Sequence, residues 1–292
     1  MVRHTVGAPP ETLADALAVE EPLEIQVDTR PVSVTMRTPG HDDELAAGFL
    51  LTEGLIRRRE DVLAIKPYPR NQSQNVLNVF LSPNVTVNFD QLTRHVFASS
   101  SCGLCGKATI DAVHQHFPPL RGKVRVAAET IFSLPAQMRQ QQETFERTGG
   151  LHAAAVFDAT GKLLVLREDV GRHNAVDKVL GYGLLHGRLP FDQHILLVSG
   201  RASFEIMQKA LAARIAIVAA VSAPTNLAVE FARESRQTLV GFLRVQTMNV
   251  YTRPERIRWP QSRISAAQGR SQVRPPERSG IEGKSRRTPA CG

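Results

Sequence analysis

Apolar and polar residues alternate over Leu23–Val27 and again over Val32–Met36, with Asp28-Thr29-Arg30-Pro31 between them. Period-two alternation around a turn predicts a β-hairpin with one buried face. Thr38-Pro39-Gly40 stops it, and the period becomes helical from Asp42 to Glu53, with Leu45, Phe49 and Leu50 on one side. Asp42, Asp43 and Glu44 suit the first turn of a helix and Gly54 suits its end. Strand-like runs follow at 61–65, 75–81 and 84–89, and helical patterns at 107–116 and 130–148. From Leu151 the chain changes character. Short apolar runs at 152–157, 163–166, 195–198, 216–221 and 239–243 alternate with helical patterns at 173–186, 203–213 and 224–234. Continuous apolar strands alternating with helices predict an α/β sheet, parallel in part and covered on both faces. The expected organisation is a loose lead-in (1–20), a smaller β-rich N-terminal domain (21–120), an α/β domain (121–260) and a disordered tail (261–292).

Charge changes this picture only at the end of the chain. The 292 residues carry a net charge of +8, of which residues 261–292 supply +5, with seven Lys or Arg against two acids. That tail has few aliphatic residues, so it cannot bury enough surface to order itself. No aromatic residues interleave its basic ones, so nucleic acid is not the expected partner. Three cysteines exclude a disulfide framework and point to a reducing compartment. No apolar run reaches the length of a membrane-spanning helix, and the first residues lack the pattern of a secretory signal. The expected location is the cytoplasm, with no membrane partner.

The candidate chemistry lies in loops. Ser101-Cys102-Gly103-Leu104-Cys105-Gly106-Lys107 sets two thiols among small residues ahead of a helical run, where a helix N-terminus and a lysine favour the thiolate. Three uses stand open: half of a zinc site, a redox pair, or a cysteine nucleophile on a mobile loop. Zinc would need two further ligands and no second Cys-x-x-Cys exists. A thioredoxin-like pair would need a different order of strands. A further reading is a nucleotide-binding regulatory module whose cysteines only sense oxidants.

In α/β sheets, ligands gather at loops leaving the carboxyl ends of strands. Here those loops hold Arg172, His173 and Asn174, then Ser199, Gly200 and Arg201, then Ser222-Ala223-Pro224-Thr225. Each precedes a predicted helix, whose first N–H groups can hold a phosphate, and the arginines add fork-shaped donors. His152, alone at the start of a strand, reads as a hydrogen-bonded core histidine. There is no Walker loop, nucleophile elbow or H-E-x-x-H helix, which removes the commonest NTPase and hydrolase readings.

From about Pro22 to Tyr251 the chain resembles the formate dehydrogenase accessory sulfurtransferase family, FdhD/NarQ. The resemblance rests on Thr38-Pro39-Gly40, Gly48-Phe49-Leu50-Leu51-Thr52-Glu53-Gly54, the Cys102–Cys105 loop and Thr148-Gly149-Gly150-Leu151-His152-Ala153. It continues through Glu168 to Lys178, Ser199-Gly200-Arg201-Ala202-Ser203-Phe204-Glu205, Ser222-Ala223-Pro224-Thr225 and Leu239-Val240-Gly241-Phe242-Leu243-Arg244.

The resemblance implies a cytidine-deaminase-like α/β/α C-terminal domain without the deaminase zinc ligands. It also implies sulfur transfer. A cysteine desulfurase supplies sulfur as a persulfide on Cys102, assisted by Cys105. The acceptor is the molybdenum bis-molybdopterin guanine dinucleotide cofactor, bound as substrate and destined for the formate dehydrogenase catalytic subunit. The implied cofactor segment is Phe242, Leu243, Arg244, Val245, Gln246 and Thr247. Its last three residues depart from the family's usual Gly-Asp/Gly-Arg continuation. A homodimer is expected, and no resident zinc.

Overall fold

A computed structural model of the chain describes residues 1–68, 75–87, 89, 113, 114 and 116–260. Cys102, Cys105, most of the expected 107–116 helix and the 261–292 tail with Cys291 lie outside the described residues. Residues 1–259 make up one compact unit. The chain opens with a short exposed antiparallel pair, β1 (Val2–Arg3) and β2 (Glu11–Thr12). The predicted hairpin follows as β3 (Glu21–Val27) and β4 (Arg30–Arg37).

The hairpin turn is tighter than the sequence suggests. Asp28 and Thr29 alone make it, both at positive φ (47° and 71°), as a two-residue turn between twisted strands requires. Neither is glycine; the neighbouring strand holds them there. The Asp28 N–H donates to the Val79 carbonyl, the Thr29 N–H to Asn78 Oδ1, and Asp28 Oδ1 accepts from the Leu81 N–H. The register then sets Thr35 opposite Leu23 and Ser33 opposite Ile25. Polar residues of β4 therefore share the buried face of β3, while Val34 and Met36 are 64% and 47% exposed. The expectation of a single apolar buried face holds for β3 and fails for the edge strand β4.

β5 (Val62–Pro67) and β6 (Val76–Leu81) complete a four-stranded sheet in the order β4-β3-β6-β5. Over the expected 84–89 strand, residues 84–87 form none; the turn continues, with the Val85 N–H donating to the Ser82 carbonyl. α1 (Asp42–Thr52) is not the one-sided helix its pattern implies, because all but three of its residues are buried.

After β7 (Val126–Ala127), which pairs with the late β14 (Ile257–Arg258), the single helix expected over 130–148 is two: α2 (Ala128–Gln140) and α3 (Glu143–Thr148). The break has a distant cause. The Glu168 carboxylate accepts from the Thr144 and Phe145 N–H groups at 2.9 and 2.8 Å, capping a new helix start.

The second half builds a six-stranded sheet in the order β13-β12-β11-β10-β8-β9. Its strands are β8 (His152–Asp158), β9 (Leu163–Asp169), β10 (His194–Val198), β11 (Ile217–Ala220), β12 (Thr238–Gly241) and β13 (Asn249–Thr252). Its helices are α4 (Arg172–Leu185), α5 (Phe204–Ala212) and α6 (Asn226–Glu234). Every residue of β11 and β12 is buried, as are Ile195–Val198 of β10. Alternate side chains point to opposite faces, so both faces are covered. β10, β11 and β12 are parallel, and β9 runs with them because both β9 and β10 are antiparallel to β8. Four strands therefore end at one edge of the sheet, and β8 begins there.

The two sheets are joined through a helix pair. α1 packs on β6 and on α4, and α4 packs on β8 and β9. The helices cross at glycines: a Cβ on Gly48 would lie 1.8 Å from the Asp177 carbonyl oxygen, and one on Gly181 would lie 1.8 Å from that of Glu44. Buried ion pairs tie the same seam. Lys209 meets Asp177 at 2.8 Å and also donates to Thr52, while Arg167 grips Glu44 with two nitrogens at 2.6 and 2.7 Å.

Candidate functional site

The edge at which β9, β10, β11 and β12 end collects the loops singled out by sequence. Asp169, the last residue of β9, is fully buried and organises the first of them. One carboxylate oxygen accepts from the Gly171 N–H (2.8 Å) and from Asn174 Nδ2 (3.0 Å). The other accepts from the Thr38 N–H and pairs with Lys178 at 2.7 Å. Lys178 donates in turn to the Thr38 carbonyl. Asn174 also donates to the Met36 carbonyl and accepts from Thr35 Oγ1. Its amide thus locks the start of α4 to the first half of the chain.

Arg172 and His173 follow at the N-terminus of α4. Arg172 Nε is buried and has no hydrogen-bond partner among the described residues. His173 Nε2 lies 3.4 Å from Ser203 Oγ and 3.9 Å from the Glu205 carboxylate. Burial first, then the charges of Arg172 and Lys209, push the His173 pKa down to about 4. His152 stands across the ladder from Asp169, and its pKa is lowered by burial and then by Arg172 and Arg201. Glu205 is held below its ordinary value: burial opposes this but is outweighed by its bonds to Ser203 and to its own N–H and by His173 and Arg172.

The loop after β10 meets this cluster through Gly200. A Cβ there would lie 3.3 Å from His152 Nδ1 and 3.8 Å from Arg172 Cβ, so the absence of a side chain keeps the space between them open. Ser199 is engaged by β8: its Oγ accepts from the Ala153 N–H and its own N–H donates to the Ala153 carbonyl. Arg201 is exposed. Ala202 bridges to Pro224, which couples this loop to the one after β11. There Thr225, not Pro224, starts the helix, with its Oγ1 accepting from the Ala228 N–H.

The segment Phe242–Thr247 leaves β12 at the same edge. Phe242 adopts positive φ (50°), an unusual conformation for a bulky residue. Its N–H donates to the Ser222 carbonyl, and that of Leu243 to the Ala220 carbonyl, which holds the segment against the neighbouring loop. Arg244 closes a turn with Thr247 and binds the Val221 and Leu243 carbonyls through its guanidinium. Leu243 is in the core, whereas Phe242 and Val245 are 42% and 70% exposed.

The structure therefore brings Arg172, His173, Ser199, Gly200 and Arg201 to one end of the edge. Phe242–Thr247 lies one strand past the loop that joins them. His152, Ser203 and Glu205 belong to the same cluster; in the sequence they stand out only within the stretches 148–153 and 199–205 that carry the family resemblance, and His152, expected in the core, is half-buried at this edge. No group of three or more metal-ligating side chains occurs among the described residues.

The fold and this edge define an α/β protein with a cationic, histidine-lined surface at its strand carboxyl ends. The chain belongs to the FdhD/NarQ family, whose model matches residues 18–258. It is 52% identical over 266 residues to the sulfur carrier protein FdhD of Mycobacterium tuberculosis, covering 88% of this chain and 96% of that protein. It is 45% identical over 243 residues to the protein of the same name from Sulfolobus acidocaldarius, covering 83% and 91%. A crystal structure from Desulfotalea psychrophila, described as a formate dehydrogenase accessory protein, superposes with a TM-score of 0.71 at 27% identity, covering 88% of this chain and 96% of that one.

Proposed function

We propose that this chain is a sulfur carrier serving formate dehydrogenase. The observation that carries the reading is its 52% identity, over nearly the whole length, to a protein named as a sulfur carrier. The chemistry assigned to Cys102 is thiol exchange. Its thiolate attacks the outer sulfur of a cysteine desulfurase persulfide, the donor's S–S bond breaks, and the donor cysteine leaves as a thiolate. Cys102 then holds the persulfide, and Cys105 assists. Delivery is to the molybdenum bis-molybdopterin guanine dinucleotide cofactor as substrate, for insertion into the formate dehydrogenase catalytic subunit.

The sheet edge supports that acceptor. A guanine dinucleotide is rich in phosphate, and the edge offers the N-termini of α4, α5 and α6, the unpartnered Arg172 Nε, Arg201, and the side-chain-free space at Gly200. His152 and His173, both with lowered pKa values, add imidazole nitrogens as hydrogen-bonding groups, that of His173 already 3.4 Å from Ser203 Oγ. At Phe242–Thr247 the expected contacts are backbone ones and the exposed Phe242 ring. The Val245-Gln246-Thr247 departure removes no buried contact, because those side chains are exposed or at the surface. The reading further includes a cytidine-deaminase-like descent for the second half of the chain, a homodimer, and a cytoplasmic setting.

The test is replacement of Cys102. In cells whose own copy is deleted, Cys102→Ala is expected to abolish the formate dehydrogenase activity that the unaltered chain restores. Full activity with the variant overturns the proposal.

A further inference from the structure

At the opposite edge of the six-stranded sheet, where β10, β11 and β12 begin, the surface is a basic groove that the sulfur-transfer reading leaves unused. It consists of two adjoining clefts of about 320 and 380 Å³ that share Arg214. Arg57, Arg58 and Arg59 line one side, and Arg121 and Arg236 line the other. The floor is apolar: Leu184, Leu189 and Ala212 in one cleft, Pro118 and Pro119 in the other.

Part of this charge has structural work. Arg58 pairs with Asp61, the guanidinium of Arg59 binds the Val62 carbonyl, and that of Arg214 binds the Pro118 carbonyl. The remainder does not. Arg57, Arg121 and Arg236 are exposed and their side chains make no ion pair or hydrogen bond among the described residues. Among the described residues Glu60 is the only acid lining either cleft, with Asp192 close enough to act on Arg214 from outside the lining. Three uncommitted guanidiniums around an apolar floor complement a segment that carries carboxylates beside apolar side chains.

We infer that this groove docks an acidic, partly apolar segment of the protein that donates sulfur. The inference rests on the sulfur-carrier reading for the donor's identity. Two placements favour the donor over other partners. The groove is at the far edge of the sheet from Arg172 and Phe242–Thr247, so a docked protein leaves the proposed cofactor edge open. Its Pro118 and Pro119 belong to the stretch of chain that follows Cys102 and Cys105, and Phe117 just before them packs on Gly54. A nucleic-acid strand fits less well, because among the described residues no aromatic ring lines either cleft to stack a base.

The experiment compares two charge reversals of equal size in the full chain. One is Arg57→Glu with Arg236→Glu; the control is Arg125→Glu with Arg147→Glu, exposed and outside the groove. Affinity for a fluorescently labelled cysteine desulfurase is measured, and so is the rate of persulfide formation on Cys102 from desulfurase plus cysteine and from glutathione persulfide. The groove variant is expected to lose about tenfold in affinity and in loading by the protein donor, with loading by glutathione persulfide unchanged and the control unaffected. Equal losses in both variants, or a loss with both donors, overturn the inference. Displacement of the labelled desulfurase by a single-stranded oligonucleotide but not by a glutamate- and leucine-rich peptide also overturns it. Absence of persulfide on Cys102 of the unaltered chain from either donor sinks the sulfur-carrier reading instead, and the affinity comparison then decides the groove by itself.

Discussion

Burial and the Arg172 guanidinium together keep His173 neutral, and this has a consequence for stability. The folded pKa of about 4 lies below the ordinary value of 6.5, so between those two pH values the unfolded chain takes up a proton that the folded chain refuses. Stability is then higher above the ordinary value and falls as pH drops from about 6.5 towards 4. His152 is shifted in the same direction and adds to the slope. His173→Gln is expected to flatten this part of the profile, read as the urea midpoint at successive pH values. An unchanged slope would show that His173 is not the group being titrated. Asp169 works at the same scale by a different route. With one carboxylate it fixes Gly171, Asn174, Thr38 and Lys178, and so fixes where Arg172 and His173 begin.

Between elements, the α1–α4 crossing decides whether the two sheets meet at all. Alanine at Gly181 gains about 1 kcal/mol of helix propensity. Against that stands a methyl group 1.8 Å from a backbone oxygen, which no rotamer can relieve. Overpacking of this kind costs about 3 kcal/mol or more where backbone must move, so the clash wins. Gly181→Ala is expected to lower the stability in urea by a net of about 2 kcal/mol, and a neutral or stabilised variant would show that the helices do not cross this closely. Much at this scale is legible in sequence. The strands of the second half are found because their apolar runs are continuous, and their helices because each follows a Gly, Ser or Thr turn. The break between α2 and α3 is not legible, since its cap is Glu168, more than twenty residues away. Nor is the face of β4, because register follows from a two-residue turn held by Asn78 and Val79 rather than from the strand's own alternation.

Across the whole molecule, strand direction does what sequence spacing alone cannot. Loops separated by up to about seventy residues reach one edge because β9, β10, β11 and β12 end together. The loops themselves are visible in the sequence as polar interruptions of apolar runs. That His152 joins Ser203 and Glu205 is visible only once β8 is seen to start where β10 finishes. The same geometry puts the arginine-lined groove at the other end, with Pro118 and Pro119, which follow the cysteine pair in sequence, in its wall. The proposed acceptor site and the proposed donor groove would then lie at opposite edges of a single sheet. The most direct measurement of that account is mass spectrometry of the intact chain after incubation with a cysteine desulfurase and cysteine. The account predicts the added mass of one sulfur atom, mapped to Cys102, removed by reductant and absent in Cys102→Ala. A chain that stays at its unmodified mass, or that gains sulfur equally in Cys102→Ala, contradicts it.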